Sequence, residues 1–181
     1  MYSQRGQLTL AHTDATVRAF RQRAEVNKHF GGRTELIDRQ SIAELVPCLN
    51  LDPAQLPVLA GLWHQDGATA RHDAVAWGYA RGATQRGVEL HQLTEVTGIE
   101  SHAGQVTGVS TNRGKITCGS VIQAVAGHSA VMAQKAGFQL PIVAYPLQAM
   151  VTLPVKPFLN PLVSSSALHC YVQQTSRGEI V

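Results

Sequence analysis

The chain has 181 residues, 44% of them hydrophobic, and a formal charge of +3, which fits a soluble globular protein with a sizeable core. Its basic residues are scattered, so we expect no nucleic-acid partner, and no apolar run is long enough to predict a membrane span. The N-terminus lacks the basic-then-apolar layout of a signal peptide. Cys48, Cys118 and Cys170 lie far apart without CxxC spacing, which predicts no metal site and a reducing, cytoplasmic location.

The N-terminal part of the sequence predicts alternating strands and helices. The predicted strands are residues 7–12, 34–37 and 58–65. Thr13 can cap a helix that runs to about His29, with Phe20 on its inward face. Asp38 can cap a second helix, which Pro47 ends.

The stretch from Asp66 to Gly87 carries the clearest helix signal. A glycine- and alanine-rich approach leads into His72 and Asp73, and an amphipathic helix follows that ends at the glycine. The predicted inward stripe of this helix comprises Val75, Ala76, Tyr79, Ala80 and Ala83. Because a helix N-terminus has unpaired N–H groups and the positive dipole end, His72 occupies a distinctive electrostatic position.

The C-terminal part is rich in short apolar segments. The predicted strands are residues 88–92, 95–101, 105–111, 115–118, 120–126 and 140–152, with a hairpin of residues 167–173 and 179–181. Three of these strands form a β-meander, because the pairs at 103–104 and 113–114 are two-residue turns. The run at 120–126 is continuously apolar and predicts a buried strand. A helix follows from Ser129 to Gly137, so the fold class is α/β, with mixed α and β elements.

His72 has two interpretations. The simpler is a solvent-facing histidine at a helix cap. The other uses its position, since the positive dipole end disfavours imidazolium and a neutral ring can attack an electrophilic carbon and form a covalent bond. The neighbouring Asp73 acts in the opposite direction, so the residues alone leave both interpretations open.

Three other places could contact a ligand. Ala126 and Gly127, at a strand-to-helix turn, could present backbone N–H groups to a phosphate, or could form an ordinary turn. Residues 94–99 could contact an adenine ring through backbone groups, or could be plain sheet. His169 and Tyr171, on one face of a predicted strand, could line a ligand cleft or form an exposed polar face.

Six stretches resemble the FAD-dependent amine oxidases of the D-amino-acid-oxidase-like group, in the family's order and over nearly the whole chain. These are SQRGQLTLAHT, ARHDAVAWGYARGATQRGVEL, TEVTGIESHAGQVTGVSTNRGKI, VIQAVAGHSAVMAQKAGFQLPI, YPLQAMV and HCYVQQTSRGEIV. Within the group, the sequence is most similar to the beta subunits of heterotetrameric sarcosine oxidases. The resemblance implies a partial FAD/NAD(P)-binding-type domain with a β-meander, together with part of an antiparallel substrate-domain sheet.

The resemblance also implies a reaction with two flavins. In the family, FAD takes a hydride from the N-methyl carbon of sarcosine, electrons pass to a covalently held FMN, and oxygen becomes hydrogen peroxide; the imine can pass to tetrahydrofolate. By matching positions, His72 corresponds to the histidine that bonds the 8-methyl carbon of FMN. Val96 corresponds to a backbone contact to the FAD adenine, and Ala126 and Gly127 to the turn near the FAD pyrophosphate.

The substrate side of the family's site is represented by His169 and Tyr171, which fall on a strand that borders the substrate cleft. No catalytic residue and no metal ligand is assigned. The sequence departs from the family pattern because it contains no GxGxxG turn. We therefore expect an internal fragment that binds no cofactor and is inactive alone, and whose partners are the other sarcosine oxidase subunits.

The expected organisation has three parts: residues 1–70 as substrate domain, 71–139 as part of an FAD-binding domain, and 140–181 as substrate domain again. Two alternatives remain open. One is a non-catalytic α/β module that binds a protein partner or a small ligand. The other is an oxidase of a related N-methyl amino acid, of the dimethylglycine type.

Overall fold

The computed structural model describes residues 2–181, which form two compact units. One unit comprises the residues up to Tyr79 together with Ala149–Val181, and the other comprises Ala80–Gln148. Both contain helices and strands, which confirms the mixed α/β class. The assignment of residues 1–70, 71–139 and 140–181 to substrate and cofactor domains stays a prediction.

The first unit contains a five-stranded sheet. Its strands are β2 (Gln7–Ala11), β3 (Thr34–Ile37), β4 (Ala60–His64), β9 (Leu162–Ser165) and β10 (Cys170–Val172). They lie side by side in the order β10-β9-β2-β4-β3. All neighbours pair antiparallel except β2 and β9, which are parallel. A separate antiparallel pair joins β1 (Tyr2–Gln4) to β5 (Ala68–Ala70). The sequence predicted β2, β3, β4 and the hairpin of β10, whereas β1, β5 and β9 were not predicted.

Two helices cover opposite faces of this sheet. In α1 (Asp14–His29) the Thr13 hydroxyl accepts a hydrogen bond from the Thr16 N–H at 3.2 Å. In α2 (Arg39–Leu45) the Asp38 carboxylate accepts one from the Ser41 N–H at 2.8 Å. Each side-chain oxygen satisfies a donor that the helix leaves unpaired, so both predicted caps are confirmed.

The core of this unit follows from strand alternation. Leu8 and Leu10 of β2 point to one face, where they pack with Ile42 of α2. Ala11 points to the other face and packs with Phe20 of α1. The central strands therefore carry buried apolar side chains on both faces.

Gly6 precedes β2 with a positive φ of 81°. A Cβ atom at this position would overlap the ring of Trp63, which lies on β4. The position therefore requires glycine for its backbone conformation and for the close approach of the indole.

The predicted helix after Asp66 is present as α3 (His72–Thr84), and Gly87 follows it with φ of 84°. The predicted core stripe is wrong, however, because α3 has no buried residue and Tyr79 is 79% exposed. An apolar stripe identifies the face that favours burial, but burial also needs a covering element. Among residues 2–181, no helix or strand packs along this face.

The second unit is built on the predicted β-meander, which is confirmed as β6 (Val96–His102), β7 (Gln105–Thr111) and β8 (Gly114–Thr117). Ala103 and Gly104 form the first turn with φ of 50° and 77°, the conformation that suits the twist of a tight hairpin.

The predicted C-terminal helix is also confirmed, as α4 (Ser129–Lys135). It follows a short 3₁₀ helix (Ala126–His128), and Gly137 lies just beyond it with φ of 83°.

Three predicted strands are wrong: residues 88–92, 120–126 and 140–152 form no strand. Their apolar, β-branched composition favours strands, but a strand also needs a hydrogen-bonded neighbour. The backbone N–H groups of residues 119–125 have no partner in the described structure. Ile122, predicted to be buried, is 94% exposed.

The predicted C-terminal hairpin is present in reduced form, with β10 as its first strand and an isolated bridge between Gln174 and Ile180 in place of the second. The backbone groups of Gln173 and Val181 exchange hydrogen bonds of 3.0 and 2.9 Å, and the turn lies at residues 175–178. His169 lies before β10, in the turn that follows β9, and has a positive φ of 49°. The expectation that His169 alternates with Tyr171 along one strand is therefore wrong.

Candidate functional site

His72 is the first residue of α3, and its side chain is exposed. The chain reaches it from β5, which is held by pairing with β1. The helix begins at once, since the Val75 N–H donates to the Arg71 carbonyl at 3.1 Å. Within residues 2–181, the His72 imidazole makes no hydrogen bond, and the residue is exposed.

The Asp73 carboxylate, next to His72 in the sequence, forms an ion pair with Arg71. The Arg71 guanidinium donates to the Asp73 carboxylate through Nε at 3.1 Å and also through Nη2. These bonds hold the pKa of Asp73 below its usual range, with a smaller contribution from the Ala74 N–H. Asp73 therefore stays ionised near neutral pH, and its hydrogen bonds are made to the guanidinium and not to the imidazole.

A second candidate region is an open cleft of about 440 Å³ in the first unit. His169 and Tyr171 both line it, so the structure brings these two predicted residues together. The floor includes Gln7, Thr9 and Ser164, which point to the same face of β2 and β9. These three residues were not predicted, although the alternation of Gln7 and Thr9 with Leu8 and Leu10 marks the polar face.

Hydrogen bonds of His12 fix the turn that carries His169. His12 Nδ1 lies 3.2 Å from the carbonyl oxygens of Leu56 and Pro57, which can only accept, so this nitrogen carries the proton. Nε2 then accepts from the Ser165 hydroxyl at 2.9 Å. Ser165 Oγ in turn accepts from the Leu168 N–H at 3.2 Å. This chain of bonds ties the turn to the end of β2.

Gln174 anchors the hairpin that continues β10. Its side-chain oxygen accepts from the N–H groups of Phe158 and Leu159 at 2.8 and 3.1 Å. Its amide nitrogen donates to three carbonyl groups, those of Val155, Lys156 and Gly178. Since Gln174 is buried, this amide fixes the loop before β9 to the hairpin that continues β10.

The remaining predicted residues lie in the second unit. The Val96 carbonyl accepts a hydrogen bond from the Lys135 ammonium at 3.1 Å, which joins β6 to α4. Ala126 has a positive φ of 44° and begins the short 3₁₀ helix that contains Gly127. These three residues therefore lie on neighbouring elements of one unit.

The described residues contain neither a metal-binding cluster nor a membrane-spanning helix. No group of three or more His, Cys, Asp and Glu side chains within residues 2–181 could hold a metal ion. In the same residues, no helix has both the length and the apolar character that crossing a membrane requires.

Comparison with known proteins identifies the family. The family model for the DAO type, described as FAD dependent oxidoreductase, matches residues 1–181. The chain belongs to the FAD-dependent oxidoreductase family. The family accounts for the fold class and for the six resembling stretches.

Curated members of this family are similar over the whole chain. The sarcosine oxidase beta subunit of Rhodobacter capsulatus is 44% identical over 181 residues, and that of Rhizobium meliloti is 45% identical. The corresponding Arthrobacter subunit is 42% identical over 182 residues. The match covers 100% of this chain but only 44 to 45% of each relative, so the chain spans less than half of their length.

Solved structures of the family share this fold. An L-proline dehydrogenase from P. horikoshii superposes with a TM-score of 0.83 at 30% identity, over 99% of this chain and 48% of that chain. A glycine oxidase from Bacillus cereus has a TM-score of 0.76 at 18% identity, over 99% and 47%.

FAD, the family's cofactor, needs a cradle of backbone N–H groups for its pyrophosphate. The predicted contact to that group in this chain is the turn at Ala126 and Gly127. The Ala126 carbonyl accepts from the Ser129 hydroxyl at 2.7 Å, and the helix that follows has seven residues. A Cβ on Gly127 would lie 3.6 Å from the nearest atom, Ala144 Cβ, an ordinary contact. The role of Ala126 and Gly127 stays a prediction.

A covalent flavin at His72 is compatible with the structure. Covalent attachment needs an accessible ring nitrogen. His72 is exposed, makes no hydrogen bond within the described chain, and opens a helix of 13 residues. His12 and Gln174 were not predicted from the sequence. Their hydrogen bonds fix the turn before β10 and the hairpin that continues it, and not α3. They carry no sequence motif because their partners are distant in the chain.

Proposed function

We propose that this chain forms part of a flavoprotein amine oxidase of the sarcosine oxidase beta-subunit type. The observation that supports the proposal best is 42 to 45% identity over the whole chain to three such subunits. The substrate class is then an N-methyl amino acid, with sarcosine first. Because these relatives are named as subunits, the partners of this chain are the other subunits of such an oxidase.

We further propose His72 as the attachment point of a covalent FMN. An exposed imidazole without a competing hydrogen bond supports this role. An imidazole nitrogen forms the bond to the flavin 8-methyl carbon. Formation of this bond would remove one hydrogen from the imidazole and one from the 8-methyl group, and oxygen would take up both as hydrogen peroxide.

The cleft over β2 and β9 is the proposed substrate side of the site. His169 and Tyr171 border it and offer an imidazole and a phenol to an amino-acid ligand. FAD supplies the acceptor for the hydride from the N-methyl carbon when it is bound. Because the sequence contains no GxGxxG turn, we expect residues 1–181 alone to bind no FAD.

A second candidate function is a non-catalytic module that binds a protein partner. The unburied face of α3 favours it, because Trp77 and Tyr79 are both exposed. A dimethylglycine-type oxidase differs from the main proposal only in its substrate.

The test is a chimaera in which residues 1–181 replace the matching segment of the Rhodobacter capsulatus subunit, expressed with its partner subunits. We expect flavin to stay with the acid-precipitated protein, and peroxide to form with sarcosine faster than with dimethylglycine. His72→Ala should release the FMN, whereas the matched change His102→Ala should retain it. Flavin still bound after denaturation in the His72→Ala protein would contradict the assignment, and a chimaera without amine-dependent peroxide would favour the non-catalytic module.

A further inference from the structure

The residues on either side of His72 carry opposite charges. Arg71 precedes it and Asp73 follows it, at the start of α3. The two charged side chains bond to each other, since Nε of Arg71 donates to Oδ1 of Asp73 at 3.1 Å and Nη2 donates to Oδ2. A guanidinium that bonds to both oxygens of a carboxylate holds the two charges together in a fixed geometry. The negative charge beside His72 is therefore compensated by Arg71.

The Asp73 carboxylate and the His72 imidazole are electrostatically coupled. The Arg71 guanidinium is the largest cause of the lowered pKa of Asp73, and the charge of a protonated His72 ring also lowers it. Because the interaction between two ionisable groups is mutual, an ionised Asp73 favours the protonated imidazole to the same extent. A carboxylate left without its guanidinium would therefore increase the fraction of imidazolium.

The charged groups near this imidazole are few. Strand β5, which leads to α3, and its partner β1 carry no charged side chain, and Tyr2 is their one titratable side chain. On α3 itself the other charged residue is Arg81, in the last turn. Among residues 2–181, no helix or strand packs along the apolar face of α3. Arg71 and Asp73 are therefore the charged groups next to the ring.

Attachment of a flavin needs the neutral imidazole, because the protonated ring has no lone pair for the attack. The step forms a bond between an imidazole nitrogen and the 8-methyl carbon. It breaks one N–H bond and one C–H bond, and oxygen takes up the two protons and two electrons as hydrogen peroxide. We propose that Arg71 is a positioning residue for this attachment, which pairs with the Asp73 carboxylate and so keeps His72 neutral. The inference rests on the proposed attachment of FMN at His72.

The test follows the rate of covalent attachment and not turnover. The chimaera is produced with its partner subunits in riboflavin-limited cells, FMN is added, and the flavin that stays with the acid-precipitated protein is measured over time. Arg71→Gln should slow attachment about threefold at about pH 6, the size of effect that a surface charge pair produces. At about pH 9 the rates should be equal, because the imidazole is neutral in both proteins. FMN bound before acid treatment should be unchanged, which checks that the variant is folded.

Further variants separate an electrostatic role from a structural one. Asp73→Asn removes the carboxylate and should not slow attachment at about pH 6, since nothing then favours imidazolium. Combining Arg71→Gln with Asp73→Asn should restore the original rate for the same reason. The matched control is Arg81→Gln, which removes the same charge from the last turn of α3 and should attach flavin at the original rate.

Three results would overturn the inference while leaving the attachment at His72 intact. They are equal rates in all the variants, equal slowing by Arg71→Gln and Asp73→Asn, and slowing by Arg71→Gln that persists at about pH 9. A chimaera without acid-stable flavin, or a His72→Ala protein that retains it, would overturn the attachment itself and this inference with it. Those two results come from proteins that keep Arg71, so the two failures are distinguishable.

Discussion

The two units of this chain differ in how their sheets are completed. In the first, Leu8 and Ile42 are fully buried, and α1 and α2 pack on opposite faces of its central strands. In the second, three strands and a short helix leave Ile122 and Leu147 almost fully exposed. The first unit therefore has a buried apolar core of its own, whereas the second leaves many of its large apolar side chains exposed.

The largest change in the free energy of unfolding is expected for a substitution in the core of the first unit. Ile42→Ala should lower the free energy of unfolding by about 2–5 kcal/mol, because it removes buried methyl groups and leaves a cavity. Ile122→Ala should change it by less than about 0.5 kcal/mol. Urea denaturation followed by Trp63 fluorescence and circular dichroism measures both. Equal losses for the two variants would show that the second unit has a core of its own.

A smaller effect is expected at Gln174, whose amide makes five hydrogen bonds to the backbone around it. Gln174→Ala should cost about 1–3 kcal/mol, since the buried Leu159 N–H loses its acceptor. The matched change Gln173→Ala removes a side chain for which the described structure gives no hydrogen bond, so it should be nearly neutral. Thermal unfolding of the two variants tests this, and similar melting temperatures would contradict the role of Gln174.

The smallest effect is the pH dependence at Asp38. The Ser41 N–H donates to its carboxylate and lowers the pKa of Asp38. A lowered pKa in the folded state adds stability above the unfolded value of about 3.9, and that stability is lost as the pH falls through the folded pKa. Asp38→Asn keeps a good cap but does not titrate, so its unfolding midpoint should fall less between neutral pH and about pH 3. Parallel pH profiles for the two proteins would contradict this.

Local signals predicted the fold well where the deciding contacts are close in sequence. Thr13, Asp38 and Gly104 placed two helix starts and one hairpin correctly because caps and turns depend on neighbouring residues. Residues 120–126 were placed wrongly because composition gives strand propensity without giving a partner strand. The predicted burial of α3 was wrong for the same reason, because an apolar stripe does not show which element covers it.

The candidate site was predicted only in part. His72 could be placed at a helix N-terminus, because the glycine-rich approach and the apolar periodicity are local. The cleft depends on β9 lying parallel to β2, across more than 150 residues of sequence. The bond between His12 and Ser165 joins positions 153 residues apart, and no sequence pattern reports it. His12 and Ser165 could be found only from the structure.

The visible absorbance spectrum before and after acid precipitation tests the central claim most directly. Residues 1–181 purified alone should be colourless. The chimaera with the Rhodobacter capsulatus subunit should be yellow, and part of its flavin should remain in the precipitate through His72. A stoichiometric flavin spectrum from the 181 residues alone would contradict the claim that the site needs further polypeptide, and a chimaera that releases all its flavin would contradict the role of His72.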